Sequence, residues 1–319
     1  MSNSSVISAL VHTLRYEADG IISVELRPWG DTVFAPFEAG AHIDLHLPNG
    51  LVRSYSLLNA PSEQGRYVVG ILRDRASRGG SRYVHEQLRV GMELKISQPR
   101  NNFALDTQAS HSVLVAGGIG ITPIFCMFNQ LLAQGRSAEL IYCARSRREA
   151  ALLEPLAALG AQVIYHFNDE KGGFPDLAKY LAGRQVDSHF YCCGPTPMLE
   201  AFEQTCERLG YAHAHIERFS AVEVEASQDA LASYSVELSK SGKTLSVEPG
   251  LNLLDVLLEA GCDIDHSCRE GVCGSCETRV IEGDIDHRDG VLTKAERAAN
   301  GSMMVCVSGC KSKRLVLDL

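Results

Sequence analysis

The sequence predicts three consecutive folding units: an antiparallel β-sandwich or barrel, an α/β unit on a parallel sheet, and a small mixed α+β domain. Three observations carry this reading. Short alternating runs broken by turn residues fill the stretch from residue 10 to about residue 105, as half-buried strands do. From residue 112 to about 219, buried apolar runs alternate with helical stretches, the pattern of βα units on a parallel sheet. At the C-terminal end six of the 11 cysteines, Cys262, Cys268, Cys273, Cys276, Cys306 and Cys310, crowd together. In a reducing compartment such a cluster points to metal ligation rather than disulfides.

In chain order, residues 21–26, 42–47 and 67–72 are candidate strands of the first unit. Residues 113–116, 139–142, 162–165 and 189–192 are candidate strands of the second. Residues 220–229 are polar, acidic and without period, as an interdomain linker is. The third unit begins near Leu231, with strands 234–238 and 244–247 around the Ser241-Gly242 turn and a helix over 251–260 carrying Asp255 and Glu259 on its polar side. Strands at 278–281 and 314–317 follow the cysteine loop.

Composition narrows the function. The 319 residues suit two or three domains at ~150 residues each. With 30 Lys and Arg against 39 Asp and Glu, the net charge of -9 does not provide the basic field that a nucleic-acid backbone requires. The most apolar stretch, residues 113–128, is broken by Gly117, Gly118, Gly120, Thr122 and Pro123 and is shorter than the ~20 residues of a membrane span. No basic segment followed by an apolar one opens the chain, so the expected location is the cytoplasm.

The third unit carries Cys268, Cys273 and Cys276 in C-x4-C-x2-C spacing, with Cys306 after a gap. This is the plant-type ferredoxin arrangement, four thiolates for a [2Fe-2S] cluster that carries one electron at a time. Gly271 and Gly274 suit a loop that must turn tightly around the cluster. Zinc prefers paired C-x2-C knuckles. The fourth ligand is Cys306 by spacing, with Cys310 and Cys262 as conceivable substitutes.

Two glycine turns follow strands of the second unit. The first, residues 117–123 (Gly-Gly-Ile-Gly-Ile-Thr-Pro), leads into a helical stretch and can bring backbone and a helix N-terminus to a pyrophosphate. It is not the dinucleotide fingerprint, because Pro123 takes the third glycine's place and no acid ends the next strand. A tight structural turn is the alternative. The second, Cys193-Gly194-Pro195, opens on the same sheet edge, and Cys193 by itself reads equally as a small buried hydrophobe. In the first unit, Arg53-Ser54-Tyr55-Ser56 and Gly79-Gly80-Ser81 offer a guanidinium, backbone donors and an aromatic face suited to a phosphate-bearing ring, though such residues are also ordinary on surface strands.

Taken together these motifs resemble the phthalate dioxygenase reductase-like family, the reductase components of two-component Rieske-type oxygenases. The resemblance covers nearly the whole chain. It rests on residues 53–57, 79–81, 117–123, 193–195, 267–276, 283–289 and 313–319. It implies a flavin-binding β-barrel (1–105), a Rossmann-like NAD(H)-binding domain (106–222), a linker (223–230) and a β-grasp ferredoxin domain (231–319). It further implies FMN with Arg53 and Ser81 near the phosphate, Tyr55 packed on the ring, Ser56 near N5, and Ser54, Leu72, Arg73, Gly79 and Gly80 in the same pocket. Gly118, Gly120, Thr122, Pro123, Gly194 and Pro195 would receive NADH, Thr122 where the domains meet and Cys193 near the nicotinamide, while Phe219 would shield the flavin. Ser56, Cys193 and Phe219 are thus the expected catalytic residues, and Cys268, Cys273, Cys276 and Cys306 the cluster ligands.

The implied function is hydride transfer from NADH to FMN and single-electron delivery to a partner oxygenase acting on an aromatic acid or aryl ether, with a carnitine-type monooxygenase as a further possible partner. The rival readings are a self-sufficient NAD(P)H diaphorase or quinone reductase and an iron–sulfur redox sensor. Arg147 and Arg148, after the second strand of the α/β unit, leave room for NADPH. Two alternating sets, His42/Asp44/His46 and His213/His215/Glu217, imitate metal triads. The first reads as an amphipathic strand with its polar face outward, and the second as the closing strand of its domain. No histidine stands in Rieske spacing to a cysteine.

Overall fold

The computed structural model describes residues 6–75, 77–160, 163–219 and 233–319. The chain forms two compact units, one spanning Ser4–Phe219 and one built on Ser220–Leu319. The expected linker at 223–230 and Gln162 of the third α/β strand lie outside the described residues.

The larger unit opens with six strands, β1 (Ile7–Ala18), β2 (Ile21–Pro28), β3 (His42–His46), β4 (Val52–Ser56), β5 (Tyr67–Leu72) and β6 (Glu93–Ile96), and the helix α1 (Gly80–Gln87). Their order is β4-β3-β6-β1-β2-β5, with every pairing antiparallel. The edges meet, because Leu57 bridges to Val69 and Leu58 N–H donates to Val68 C=O at 2.9 Å. The sheet therefore closes as a barrel, and closure leaves no open strand edge. Val11, Val24, Leu26, Ile43, Leu45, Val69 and Ile71 fill its interior.

The expectation for β3 needs correcting. His42 and Asp44 do not face outward but are buried. A buried carboxylate is tolerated when it is paired and hydrogen-bonded. Arg100 Nη2 donates to Asp44 Oδ2 at 2.6 Å and Ser54 Oγ to Oδ1 at 2.6 Å. Asp44 thus braces the neighbouring strand β4.

Five parallel strands follow: β7 (Ser112–Gly117), β8 (Ala138–Ala144), β9 (Val163–Phe167), β10 (His189–Cys193) and β11 (His213–Glu217). Between them run α2 (Ile121–Ala133), α3 (Leu153–Ala158), α4 (Asn168–Lys171), α5 (Leu177–Leu181) and α6 (Thr196–Leu209). The order β11-β10-β7-β8-β9 places a topological switch between β10 and β7, where open α/β sheets bind ligands at the carboxyl ends of the strands. Barrel and sheet share a core in which Ala18, Ile21, Ala39 and Phe103 pack with Leu114, Ile124 and Phe128.

The second unit holds β12 (Tyr234–Leu238), β13 (Thr244–Val247), α7 (Leu253–Glu259), β14 (Glu277–Glu282), β15 (Ile285–Asp286), α8 (Lys294–Ala299), β16 (Ser302–Met304), β17 (Gly309–Cys310) and β18 (Arg314–Leu317). Its main sheet runs β13-β12-β18-β14-β16, and β12 pairs with β18 in parallel. Leu253, Leu254 and Leu257 of α7 share the core with Val236, Leu238 and Leu315 of the sheet, the β-grasp arrangement.

Candidate functional site

The strand β4 carries Arg53, Ser54, Tyr55 and Ser56 into the barrel edge facing α1. Gly79 caps α1 with a left-handed φ of 101°. At Gly80 a Cβ would stand 2.7 Å from Arg53 Cγ, so glycine lets the arginine stem cross the start of the helix. Ser81 Oγ accepts from Asp74 N–H at 3.2 Å and bonds Ser77 Oγ at 3.0 Å. A guanidinium and a helix N-terminus thus lie together, which is how backbone and side chain hold a phosphate. Burial pushes the Tyr55 phenol up to about 12, with the Arg53 charge opposing, so the ring stays neutral. At the end of β5, Leu72 is partly exposed, and Arg73 Nη2 donates to Glu86 Oε1 at 2.6 Å.

The two glycine turns touch. A Cβ on Gly120 would fall 2.1 Å from Cys193 C=O, and one on Gly117 would fall 2.5 Å from Met198 Sδ and 2.8 Å from Pro195 Cδ. A Cβ on Gly194 would stand 3.1 Å from Gly117 Cα. Gly118, by contrast, has φ +54° and open space where a side chain would be. The loops therefore form one ledge with an open backbone face, as a pyrophosphate requires. Thr122 is buried and donates to Ile119 C=O at 3.0 Å. Pro123 sits in the first turn of α2, where its missing N–H costs no hydrogen bond.

Sequence reasoning missed Glu217. In the β10–β11 register it lies opposite Cys193, and its Oε2 stands 3.4 Å from the donating Ser56 Oγ and 4.0 Å from the Cys193 thiol. Desolvation pushes its carboxyl up to about 8, against the lowering effect of the Ser56 hydroxyl. Burial thus favours the protonated form of this carboxyl. Burial also raises the Cys193 thiol well above its usual range, so it is no thiolate nucleophile. The period-2 set His213/His215/Glu217 hid this residue. Its strand places the histidines against His189 and Tyr191, ring centroids 4.3 Å apart for His189–His213 and 4.7 Å for Tyr191–His215, while Glu217 meets Ser56 of the barrel. Phe219, partly exposed, follows two residues later.

The two arginines that left room for NADPH both have acidic partners. Arg148 Nε lies 3.2 Å from Asp19 Oδ2. Arg147 Nε lies 3.3 Å from Glu170 Oε1, and its guanidinium sits 4.6 Å above the Phe167 ring.

In the second unit Cys268, Cys273, Cys276 and Cys306 are all buried. They lie as two pairs. Side chains hydrogen-bond within each pair, Cys268 with Cys273 and Cys276 with Cys306. Among the described residues no group of three or more His, Cys, Asp or Glu is arranged around a single ion. Two thiol pairs suit two irons better than one zinc, which needs four ligands converging on one point. Cys310 is occupied elsewhere, its thiol donating to Ser312 C=O at 3.1 Å, and Cys262 follows the end of α7. Glu270 N–H points at Cys268 Sγ at 3.3 Å, aided by Arg269 in the left-handed region at φ 56°. Arg269 Nη1 is held 2.9 Å from Asp255 Oδ1, and Asn252, the cap of α7, donates to Cys306 C=O at 2.6 Å.

Residues 236–311 match the 2Fe-2S iron-sulfur cluster binding domain, and residues 92–216 match the N-terminal domain of dimethylamine monooxygenase subunit DmmA-like proteins. Phenoxybenzoate dioxygenase subunit beta of Ectopseudomonas oleovorans is 48% identical over 98% of this chain and 97% of its own. Tetrachlorobenzoquinone reductase of Sphingobium chlorophenolicum is 46% identical over 99% of this chain and 98% of its own. An intact type IV self-sufficient cytochrome P450 monooxygenase superposes with a TM-score of 0.90 at 38% identity over 98% of this chain, which spans only 41% of that larger protein. Phthalate dioxygenase reductase, described as a modular structure for electron transfer from pyridine nucleotides to [2Fe-2S], superposes at 0.71 and 35% identity over 99% of this chain and 98% of its own. Matched end to end in sequence and in modular order, this chain belongs to the phthalate dioxygenase reductase-like family of oxidoreductases.

Proposed function

We propose that this chain takes a hydride from NADH to FMN in its larger unit and hands electrons singly through a [2Fe-2S] cluster to a Rieske-type oxygenase acting on an aromatic acid or aryl ether. The carrying observation is that Ser56 of the barrel and Cys193 of the glycine ledge converge on Glu217. This brings the strand expected to hold the flavin to the loop expected to hold the nicotinamide. When bound, the flavin turns a two-electron donor into single electrons that the cluster can carry.

In this reading Arg53, Ser81 and the N-terminus of α1 hold the flavin phosphate. Tyr55 packs on the ring, Ser54 keeps β4 in place through Asp44, and Leu72, Arg73, Gly79 and Gly80 shape the pocket. Gly118, Gly120, Thr122, Pro123, Gly194 and Pro195 seat the coenzyme, with Phe219 at the exposed end. Ser56 donates to Glu217, whose protonated form, favoured by burial, keeps the pocket free of a negative charge that would oppose the arriving coenzyme. Cys268, Cys273, Cys276 and Cys306 ligate the cluster. Among the described residues no helix is long and apolar enough to cross a membrane, and the proposed location is the cytoplasm.

An anaerobic titration of the purified protein with NADH, followed by visible absorbance and electron paramagnetic resonance, tests this. Flavin bleaching with a rhombic signal from a reduced [2Fe-2S] centre is expected. Bleaching without that signal would overturn the relay. Similarity to a tetrachlorobenzoquinone reductase favours one rival, direct quinone reduction. Adding a purified oxygenase with its substrate, or a quinone instead, separates the two: only the relay gives coupled substrate turnover.

A further inference from the structure

Gly70 is the fourth residue of β5, buried and in ordinary strand pairing with Ser23. Its backbone is not left-handed, so the conformation does not demand glycine. Space does. A Cβ built there would lie 2.6 Å from Thr122 Cγ2, with Leu58 Cδ2 next at 3.4 Å. Carbon atoms in contact ordinarily stand about 3.5–4.0 Å apart, so any side chain at this position would push Thr122 away by ~1 Å.

Thr122 cannot easily yield. Its hydroxyl is tied to Ile119 C=O at 3.0 Å, which fixes the methyl toward the barrel. One turn along α2, on the same face, Cys126 donates its thiol hydrogen to Asn59 C=O at 3.2 Å. The start of α2 is thus seated on the barrel at two points, Gly70 and Asn59. Within β5, Val69 bridges to Leu57, the residue after Ser56, and the strand continues past Gly70 to Leu72. α2 begins directly after the Gly118–Gly120 turn.

We infer that Gly70 is a positioning residue for hydride transfer: its missing side chain lets the Thr122 methyl dock into the barrel and sets how closely the coenzyme ledge approaches the flavin strand. This rests on the function proposed above. Displacement by ~1 Å at a reacting centre can cost about a hundredfold in rate.

The test is a double-substitution cycle on the holoprotein, read by anaerobic stopped-flow with NADH and by NAD+ affinity, with thermal unfolding of the cofactor-free chain alongside. Gly70→Ala should slow flavin reduction by about 10- to 100-fold at saturating NADH while changing NAD+ affinity far less. Thr122→Ser keeps the hydroxyl and removes only the methyl. In the Thr122→Ser background Gly70→Ala should therefore cost less than about threefold in rate, and its loss of Tm should shrink likewise. A Gly70→Ala chain that fails to fold alone but folds with Thr122→Ser would also support the contact. Equal costs in both backgrounds, or no cost in either, would overturn the inference. Failure of the unsubstituted protein to be reduced by NADH or NADPH would instead remove the proposed function, while the unfolding cycle would still report on the contact.

Discussion

The two candidate redox centres are built in opposite ways. Around Glu217 the partners come from residues 56, 193 and 217, far apart in sequence, and are brought together by barrel closure and by a parallel-strand register. Around the cysteines, three of four sulfurs lie within one short loop, and the fourth arrives by way of the residues beside β16. The first centre is shaped by atoms that are absent: glycines whose Cβ would collide with Arg53, Cys193 C=O or Thr122. The second is shaped by atoms that are present, paired thiols with a backbone N–H aimed at one of them. A centre that must admit and release a diffusible coenzyme needs open backbone, whereas one that holds its group permanently needs ligands.

The contrast can be broken most sharply at the thiols. Cys276→Ser, removing one sulfur of a pair, should abolish the reduced-cluster signal in electron paramagnetic resonance while NADH still bleaches the flavin. Cys310→Ala should retain that signal in full, because its thiol is committed to Ser312. A lost signal in the second variant would return Cys310 to the ligand set.

At the flavin end, Arg53→Ala should weaken FMN binding by about 10- to 100-fold, the worth of ~1.5–3 kcal/mol for a charge-assisted bond, as measured by flavin fluorescence on dilution. Retained affinity would mean that the α1 backbone suffices alone.

Glu217→Gln sharpens the comparison further. A carboxyl whose pKa rises from 4.5 unfolded to about 8 folded favours the folded state fully below 4.5, and that contribution is lost as pH rises through 8. The glutamine variant removes the titration. Its stability relative to the parent should therefore grow between pH 5 and pH 9 in urea unfolding, and a constant difference would mean that Glu217 is not protonated in the fold.

The smallest effect concerns His215, lowered to about 4 first by burial and then by His189 and His213, with Asp106 opposing. The unfolded chain takes a proton near 6.5 that the folded one refuses, so stability is complete above that pH and declines from 6.5 toward 4. His215→Phe should flatten that decline in urea midpoints measured between pH 7 and pH 5.

What was legible in the sequence follows the same divide. The cysteine spacing was readable because its meaning is local, and the barrel and parallel sheet were readable from their periods. Glu217 was not, because nothing in its alternating neighbourhood tells it from His213 and His215; only the β10–β11 register sets it opposite Cys193. Asp44 was misplaced for a related reason. A polar residue alternating with Ile43 and Leu45 reads as solvent-facing unless the partner that neutralises it is known, and Arg100 lies 56 residues away. Gly70 carried no signal either, since a strand glycine shows its purpose only when the atom filling its gap is seen.

The first turn of α7 has one more consequence. Asn252 grips the Cys306 carbonyl and Asp255 grips Arg269, so one short helix holds both thiol pairs through groups that never touch iron. Substituting Asn252 or Asp255 would therefore loosen the cysteine loop without removing a single sulfur.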